Sequence, residues 1–120
     1  PYFMAPADGA RVYMAGLWAV WRDPRTPDAP PLMSTTILTA DSVAQLGNMH
    51  HRMPLMLPPE RWDAWLDPDS LGHPDLIVPS EDAVARIEIR RVSDKVNSVR
   101  NNGPELLVPD DGPGDQMALL

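Results

Sequence analysis

Residues 11–21 (Arg-Val-Tyr-Met-Ala-Gly-Leu-Trp-Ala-Val-Trp) form a nearly unbroken apolar run rich in β-formers. Such a run predicts a buried strand. Gly16 inside it predicts a bulge or a close backbone approach. Four prolines among residues 22–32 then predict an exposed loop. The β-branched run at 33–40 (Met-Ser-Thr-Thr-Ile-Leu-Thr-Ala) predicts a second strand. Asp41 has the place of a helix N-cap, ahead of a short helix over 42–46 that closes near Gly47. Residues 48–53 read as a turn or a short extended piece, and 54–57 as a short third strand ended by Pro58 and Pro59. Pro59 suits the first turn of a helix over 60–66, where Trp62, Trp65 and Leu66 share one apolar face. Leu76, Ile77 and Val78 read as a packed segment in an irregular stretch. Residues 86–92 alternate: Ile87, Ile89 and an apolar step near Val92 stand against Arg86, Glu88 and Arg90. That is the pattern of a half-buried antiparallel strand. Asn101, Asn102 and Gly103 mark a turn, and residues 106–108 suggest a last short strand.

Several strands with short, segregated helices predict an α+β fold, mainly β and mostly antiparallel. The expected core is a partly closed, barrel-like sheet with the helices at its periphery. The 120 residues suffice for one domain, expected over 1–108, with 109–120 a flexible acidic tail. Apolar residues at 43% and charged residues at 22% are ordinary for a globular chain and argue against wholesale disorder. No stretch reaches the ~18 consecutive apolar residues of a membrane-spanning helix, and no membrane partner is expected. The absence of cysteine removes disulfides, thiolate metal sites and a cysteine nucleophile from these residues. A net charge of −7 argues against a broadly basic nucleic-acid binder. The distribution alters that picture. Residues 101–120 hold four acids and no Lys or Arg, whereas 86–100 hold five bases against Glu88 and Asp94. Salt screens distant charge within ~8–10 Å, so a local basic surface can still meet phosphates.

The chain has no phosphate-binding loop, no Gly-x-Ser-x-Gly elbow, no His-Glu-x-x-His and no Gly-x-Gly-x-x-Gly. Its informative cluster is Met49-His50-His51-Arg52-Met53-Pro54-Leu55. An imidazole that titrates near neutral pH lies two residues from a guanidinium. Such a pair suits a phosphodiester or an aldehyde, because the imidazole moves a proton while the guanidinium holds an anion. An ordinary polar surface turn is the simpler reading of the same residues. His50 and His51 are expected on opposite sides of an extended segment, and His73 lies in a separate loop, so no metal site is expected. Thr35 and Thr36 are explained by β-propensity. Thr39 differs because it closes its strand, where sites gather. Trp18, Trp21, Trp62 and Trp65 could stack on bases, but for Trp62 and Trp65 core packing is the better explanation. Arg86, Arg90, Arg91, Lys95 and Arg100 are either a solvated face or phosphate contacts.

The order of segments then becomes telling. Ala15-Gly16-Leu17-Trp18 is followed by Thr36-Ile37-Leu38-Thr39, by His50-x-Arg52-Met53-Pro54-x-x-Leu57 and by Trp65-Leu66. Val92-Ser93-x-x-Val96-Asn97-x-Val99 and Asn101-x-Gly103-Pro104-Glu105-Leu106 complete the set. This resembles the SOS response-associated peptidase (SRAP) family over roughly residues 1–108, and the His-x-Arg-Met-Pro element is the most specific piece. The resemblance implies a DNA-damage protein that covalently captures abasic sites in single-stranded DNA, with no cofactor. An N-terminal Cys, exposed by self-processing, would condense through its thiol and α-amine with the ring-opened sugar to a thiazolidine. By motif position His50 would be the acid/base, Arg52 a DNA phosphate contact and Thr39 a residue beside the lesion. The family's Cys, Asn and Glu belong to a segment upstream of Pro1. The chain therefore resembles the C-terminal portion of the domain, and that missing N-terminal segment is an expected partner. Ala19 and His51 stand where many relatives have Glu and Asp. The implied setting is the bacterial cytoplasm, at the nucleoid. A noncatalytic single-stranded nucleic-acid-binding module and a protein-interaction module are the alternatives.

Overall fold

In chain order the elements of the computed structural model, which describes residues 1–110 and 112, are β1 (Tyr2–Pro6), β2 (Gly16–Trp21), β3 (Leu32–Ile37), β4 (Thr39–Asp41), β5 (Arg52–Pro54), helix α1 (Trp62–Leu66), helix α2 (Glu81–Ala85) and β6 (Ile87–Arg91). Short 3₁₀ turns fill Ala44–Asn48, Pro59–Arg61, Pro74–Ile77, Asp94–Asn97 and Pro104–Leu107. The fold is α+β and mainly strand, and its paired strands are antiparallel. Among the described residues the strands form three separate two-stranded ladders and no closed barrel, so the predicted barrel-like sheet is not found. The chain divides into two compact units, Pro1–Ala10 with the chain from Ile87 onward, and Arg11–Arg86.

In the first unit β1 pairs with β6 from Tyr2↔Arg91 to Pro6↔Ile87. The alternation read at 86–92 holds as far as Ile89: Ile87 is buried, Glu88 and Arg90 are exposed. Val92 is buried out of phase, and its N–H donates to the Pro1 carbonyl at 3.1 Å. The Arg90 guanidinium lies 4.8 Å over the Phe3 ring, a cation–π contact between cross-strand partners. Residues 106–108 do not form the predicted strand: Pro104–Leu107 is a 3₁₀ turn, and only Pro109 bridges to Val92. The expected tail at 111 and 113–120 lies outside the described residues.

In the second unit the β-branched run at 33–40 does not stay one strand. It divides at Leu38, whose N–H donates to the Ala15 carbonyl at 2.9 Å while its own carbonyl accepts from Leu55 N–H at 2.9 Å. Before that point β3 pairs with β2, from Gly16↔Ile37 to Trp21↔Leu32. After it β4 pairs with β5. Ala15 N–H donates to the Leu55 carbonyl at 2.8 Å and Leu57 N–H to the Tyr13 carbonyl at 2.8 Å, so residues 13–15 and 55–57 run side by side. Ala15, Leu55 and Leu57 are the centre of the core, with Leu38, Ala40, Trp62 and Trp65 packed on it. Burying a leucine of this kind contributes about 1.5–3 kcal/mol. Trp62 keeps its indole N–H paired by donating to the Leu57 carbonyl at 2.8 Å, and its ring lies 4.6 Å from that of Tyr13.

Several predictions for this unit are corrected. β2 is exposed along its whole length rather than buried, with Trp18 at 69%. In the second unit β3 is its only strand partner, and burial depends on what covers a face rather than on the apolar residues in it. Gly16 sits in regular register with no bulge, and a Cβ there would meet the Thr36 carbonyl oxygen at 3.4 Å, an ordinary van der Waals contact. Asp41 is the last residue of β4, not a helix cap, because Ala44 adopts the left-handed region at φ 50° and the chain turns into the 3₁₀ segment Ala44–Asn48 instead of a helix over 42–46. Ile77 and Val78 are exposed rather than packed. Helix α2 was not expected. Ser80 caps it by accepting from Ala83 N–H at 3.2 Å, and Glu81 and Asp82 occupy its first turn. Its buried Val84 offers a carbonyl to the Gln45 side chain at 2.6 Å.

Candidate functional site

The ladder of β4 with β5 is only three residues long, Thr39↔Pro54, Ala40↔Met53 and Asp41↔Arg52. Met53 is buried and Ala40 half-buried, so the inward face is fixed. The two-residue period of a strand then places Thr39, Asp41 and Arg52 on the opposite, outward face. A slip of one residue would drive Arg52 into the core, so burial of Met53 specifies the register and with it the site.

Three expected site residues come together there. Arg52 Nη2 donates to the Thr39 carbonyl at 2.7 Å and to Thr39 Oγ1 at 2.8 Å. Arg52 Nη1 donates to Asp41 Oδ1 at 2.9 Å. The planar guanidinium thus spans two residues of the facing strand with its fork. His50 precedes β5 and is placed by the 3₁₀ turn, its N–H donating to the Leu46 carbonyl at 3.2 Å. Its Nδ1 accepts from Arg52 N–H at 3.0 Å and lies 2.9 Å from the Arg52 carbonyl oxygen. These two contacts are alternatives. A bare Nδ1 accepts from the N–H, and a protonated Nδ1 donates to the carbonyl. In both states the Nδ1 edge is held by the Arg52 main chain, and Nε2 is the nitrogen through which the exposed ring can exchange a proton with a ligand.

His51 departs from expectation. Its ring stacks on that of His50, with centroids 4.4 Å apart and planes 27° from parallel. The opposite-sides rule holds inside a strand, whereas β5 begins only at Arg52 and His51 sits in a bend. Asp41 is the member of this cluster that sequence reasoning missed. The signal was present in the pairing of a three-residue strand against the His-x-Arg-Met-Pro element, but Asp after a β-run reads locally as a cap. Among the described residues no group of three or more His, Asp or Glu is placed to hold a metal. His73 is turned to Asp75 in its own loop, its Nδ1 accepting from the Asp75 N–H at 3.3 Å and lying 3.2 Å from Oδ2.

The remaining candidates lie elsewhere. Trp62 and Trp65, with Tyr13, Met14, Leu57 and Leu66, line an apolar groove of about 320 Å³ that shares no residue with the His50–Arg52 cluster. Trp65 Nε1 donates to the Gly16 carbonyl at 3.3 Å. Trp18 and Trp21 are exposed on β2. The basic run is divided, Arg86 in the second unit and Arg90, Arg91, Lys95 and Arg100 in the first.

Comparison with known proteins gives consistent matches. The family described as SOS response associated peptidase (SRAP) matches residues 1–99. "Abasic site processing protein HMCES" of Pongo abelii is 40% identical over 102 residues, covering 82% of this chain and 27% of that protein. "Abasic site processing protein YMR114C" of Saccharomyces cerevisiae is 31% identical over 116 residues, 91% of this chain and 30% of that protein. "Abasic site processing protein YoqW" of Bacillus subtilis is 36% identical over 97 residues, 78% of this chain and 41% of that protein. The chain therefore spans between about a quarter and two fifths of these relatives. A crystal structure of a protein from Bacteroides thetaiotaomicron shares the fold, with a TM-score of 0.72 at 22% identity over 92% of this chain and 48% of that one.

Proposed function

Since this chain belongs to the SOS response associated peptidase (SRAP) family, we propose that it contributes the proton-handling and phosphate-holding residues of a protein that captures abasic sites in single-stranded DNA. The observation that carries this reading is the His50–Arg52 arrangement. One imidazole has Nδ1 held by the Arg52 main chain, and the guanidinium of the same residue is spread across Thr39 and Asp41. The names of the relatives, all abasic site processing proteins, support the same substrate.

An abasic sugar in its open form is an aldehyde. A primary amine adds to that carbon and expels one water to give an imine, and a thiol adjacent to the amine then closes on the same carbon. In this reading the sulfur and amine are those of an N-terminal cysteine, which these 120 residues, having no cysteine, do not themselves supply. His50 Nε2 supplies the acid that releases water and the base that accepts the proton, work that typically accelerates such steps ~10²–10⁴-fold. Arg52 holds a backbone phosphate, and Thr39 both fixes the guanidinium and borders the lesion. The peptidase in the family name is assigned here to self-maturation of that cysteine. The place of action is wherever the genomic DNA lies, the bacterial nucleoid.

The test incubates the full natural protein with a single-stranded oligonucleotide bearing an abasic site, then separates products by denaturing electrophoresis. The expected result is an adduct that survives denaturation and is abolished when the site is first reduced with borohydride. Binding that is reversible and indifferent to the aldehyde would overturn covalent capture and leave a noncatalytic single-strand binder.

A further inference from the structure

Arg52 is partnered before any nucleic acid arrives, and its two attachments differ in kind. Nη2 is bound to the main-chain carbonyl and hydroxyl of Thr39, inside a paired strand, and the carbonyl cannot withdraw without opening the ladder of β4 with β5. Nη1 is bound to the Asp41 carboxylate, a side chain 91% exposed that can rotate into water. We propose that Asp41 is an internal substitute for a DNA phosphate. It occupies the Nη1 side of Arg52 in the free protein and yields that side to the phosphodiester when single-stranded DNA binds. The proposal rests on the reading of Arg52 as a phosphate contact.

The chemistry of the two anions carries it. A carboxylate and a phosphate present the same paired oxygens to a guanidinium edge and compete for it. With both within about 3 Å of Nη1, two like charges would stand about 4–6 Å apart, a repulsion that at a water-exposed surface is modest and of the size of the few-fold change in affinity expected below. Exchange has a counterpart benefit. Asp41 and Thr39 together hold a long, rotamer-rich side chain in one geometry, so its ordering cost is met before DNA binds. Arg52 is itself 42% exposed, so the incoming phosphate can reach it without opening the fold. Asp41 is thus a specificity-determining residue that sets a threshold: only an anion strong enough to displace it takes the site.

Asp41→Asn keeps the shape and one acceptor oxygen and removes the charge. The probe is a fluorescein-labelled single-stranded oligonucleotide carrying a tetrahydrofuran abasic analogue, which has no aldehyde and so reports reversible binding. Fluorescence anisotropy with the full natural protein compares wild type, D41N, R52A and D63N at low and high salt. Asp63→Asn controls for charge alone, since Asp63 is exposed on α1. The expected result is that D41N binds roughly three- to tenfold more tightly at low salt, with the gain shrinking as salt rises, while D63N gains less and R52A loses affinity. If R52A weakens binding but D41N binds no more tightly, or D63N gains as much as D41N, the exchange is overturned and the phosphate reading stands. If R52A binds as wild type does, the phosphate reading is overturned and the exchange falls with it.

Discussion

Leu55→Ala is the substitution that most sharply connects the core to the site. Leu55 is 1% exposed and follows directly on Arg52, Met53 and Pro54. Its main chain bonds Leu38 and Ala15 at once, and it belongs to the buried cluster of Ala15, Leu55 and Leu57, against which Leu38, Ala40, Trp62 and Trp65 pack. Truncating a buried leucine to alanine costs about 2–5 kcal/mol, the spread reflecting how far the cavity collapses. Here the apolar groove beside Leu57 and the two tryptophans gives neighbouring side chains room to move. That places the expected loss near the lower end, about 2–3 kcal/mol, or roughly a 30- to 150-fold fall in the folding constant. The matched control is Leu66→Ala, the same chemistry at a residue 75% exposed, with an expected loss of about 0.5 kcal/mol or less. Urea unfolding of the full natural protein, with equal slopes in all three proteins, gives the difference. A loss below about 1 kcal/mol for Leu55→Ala, or equal losses for the two variants, would refute the assignment of Leu55 to the centre of the core.

Arg52→Ala removes an exposed ion pair and two bonds to Thr39. Stability should fall by only about 1 kcal/mol or less, while the dependence of single-stranded DNA affinity on salt should flatten by about 0.7 in log–log slope, measured by anisotropy titrations. Ser42 Oγ is buried without a hydrogen-bond partner, so Ser42→Ala should leave stability unchanged or raise it by up to about 1 kcal/mol in the same urea assay. The Asp23 carboxyl is held below the ordinary aspartate range, first by the Arg25 side chain and then by the Arg25 N–H. The contact should therefore be complete above the ordinary aspartate range and be lost as pH falls through the lowered value. An NMR titration of Asp23 that shows an ordinary or raised midpoint would contradict it.

Much of the candidate site's geometry was readable because its residues are close in sequence. His50 and Arg52 lie in one short element, and Thr39 closes the run that precedes it, so two strands sufficed to bring them together. Residues 87–91 were readable because alternation is a property of one strand alone. What escaped depends on partners. β1 has its mate more than eighty residues away, and Tyr2-Phe3-Met4 is too short an apolar run to define a strand without that mate. The run at 33–40 has one uninterrupted β character, yet Leu38 exchanges one neighbouring strand for another, which no periodicity records. β2 is apolar enough to be buried, and its exposure is decided by what lies over it. Asp41 was misread for the same reason. As a residue after a β-run it resembles a cap, and only the register opposite Arg52 gives it a charge to hold.

The most direct measurement is the time course of adduct formation on abasic single-stranded DNA by the full natural protein and its His50→Gln variant. Gln keeps a polar side chain of similar reach but cannot shuttle a proton near neutral pH. Equal reversible affinity for the tetrahydrofuran oligonucleotide, with adduct formation slowed at least ~100-fold, is the expected result. Adduct formation by His50→Gln at the wild-type rate would show that the imidazole takes no part in the chemistry.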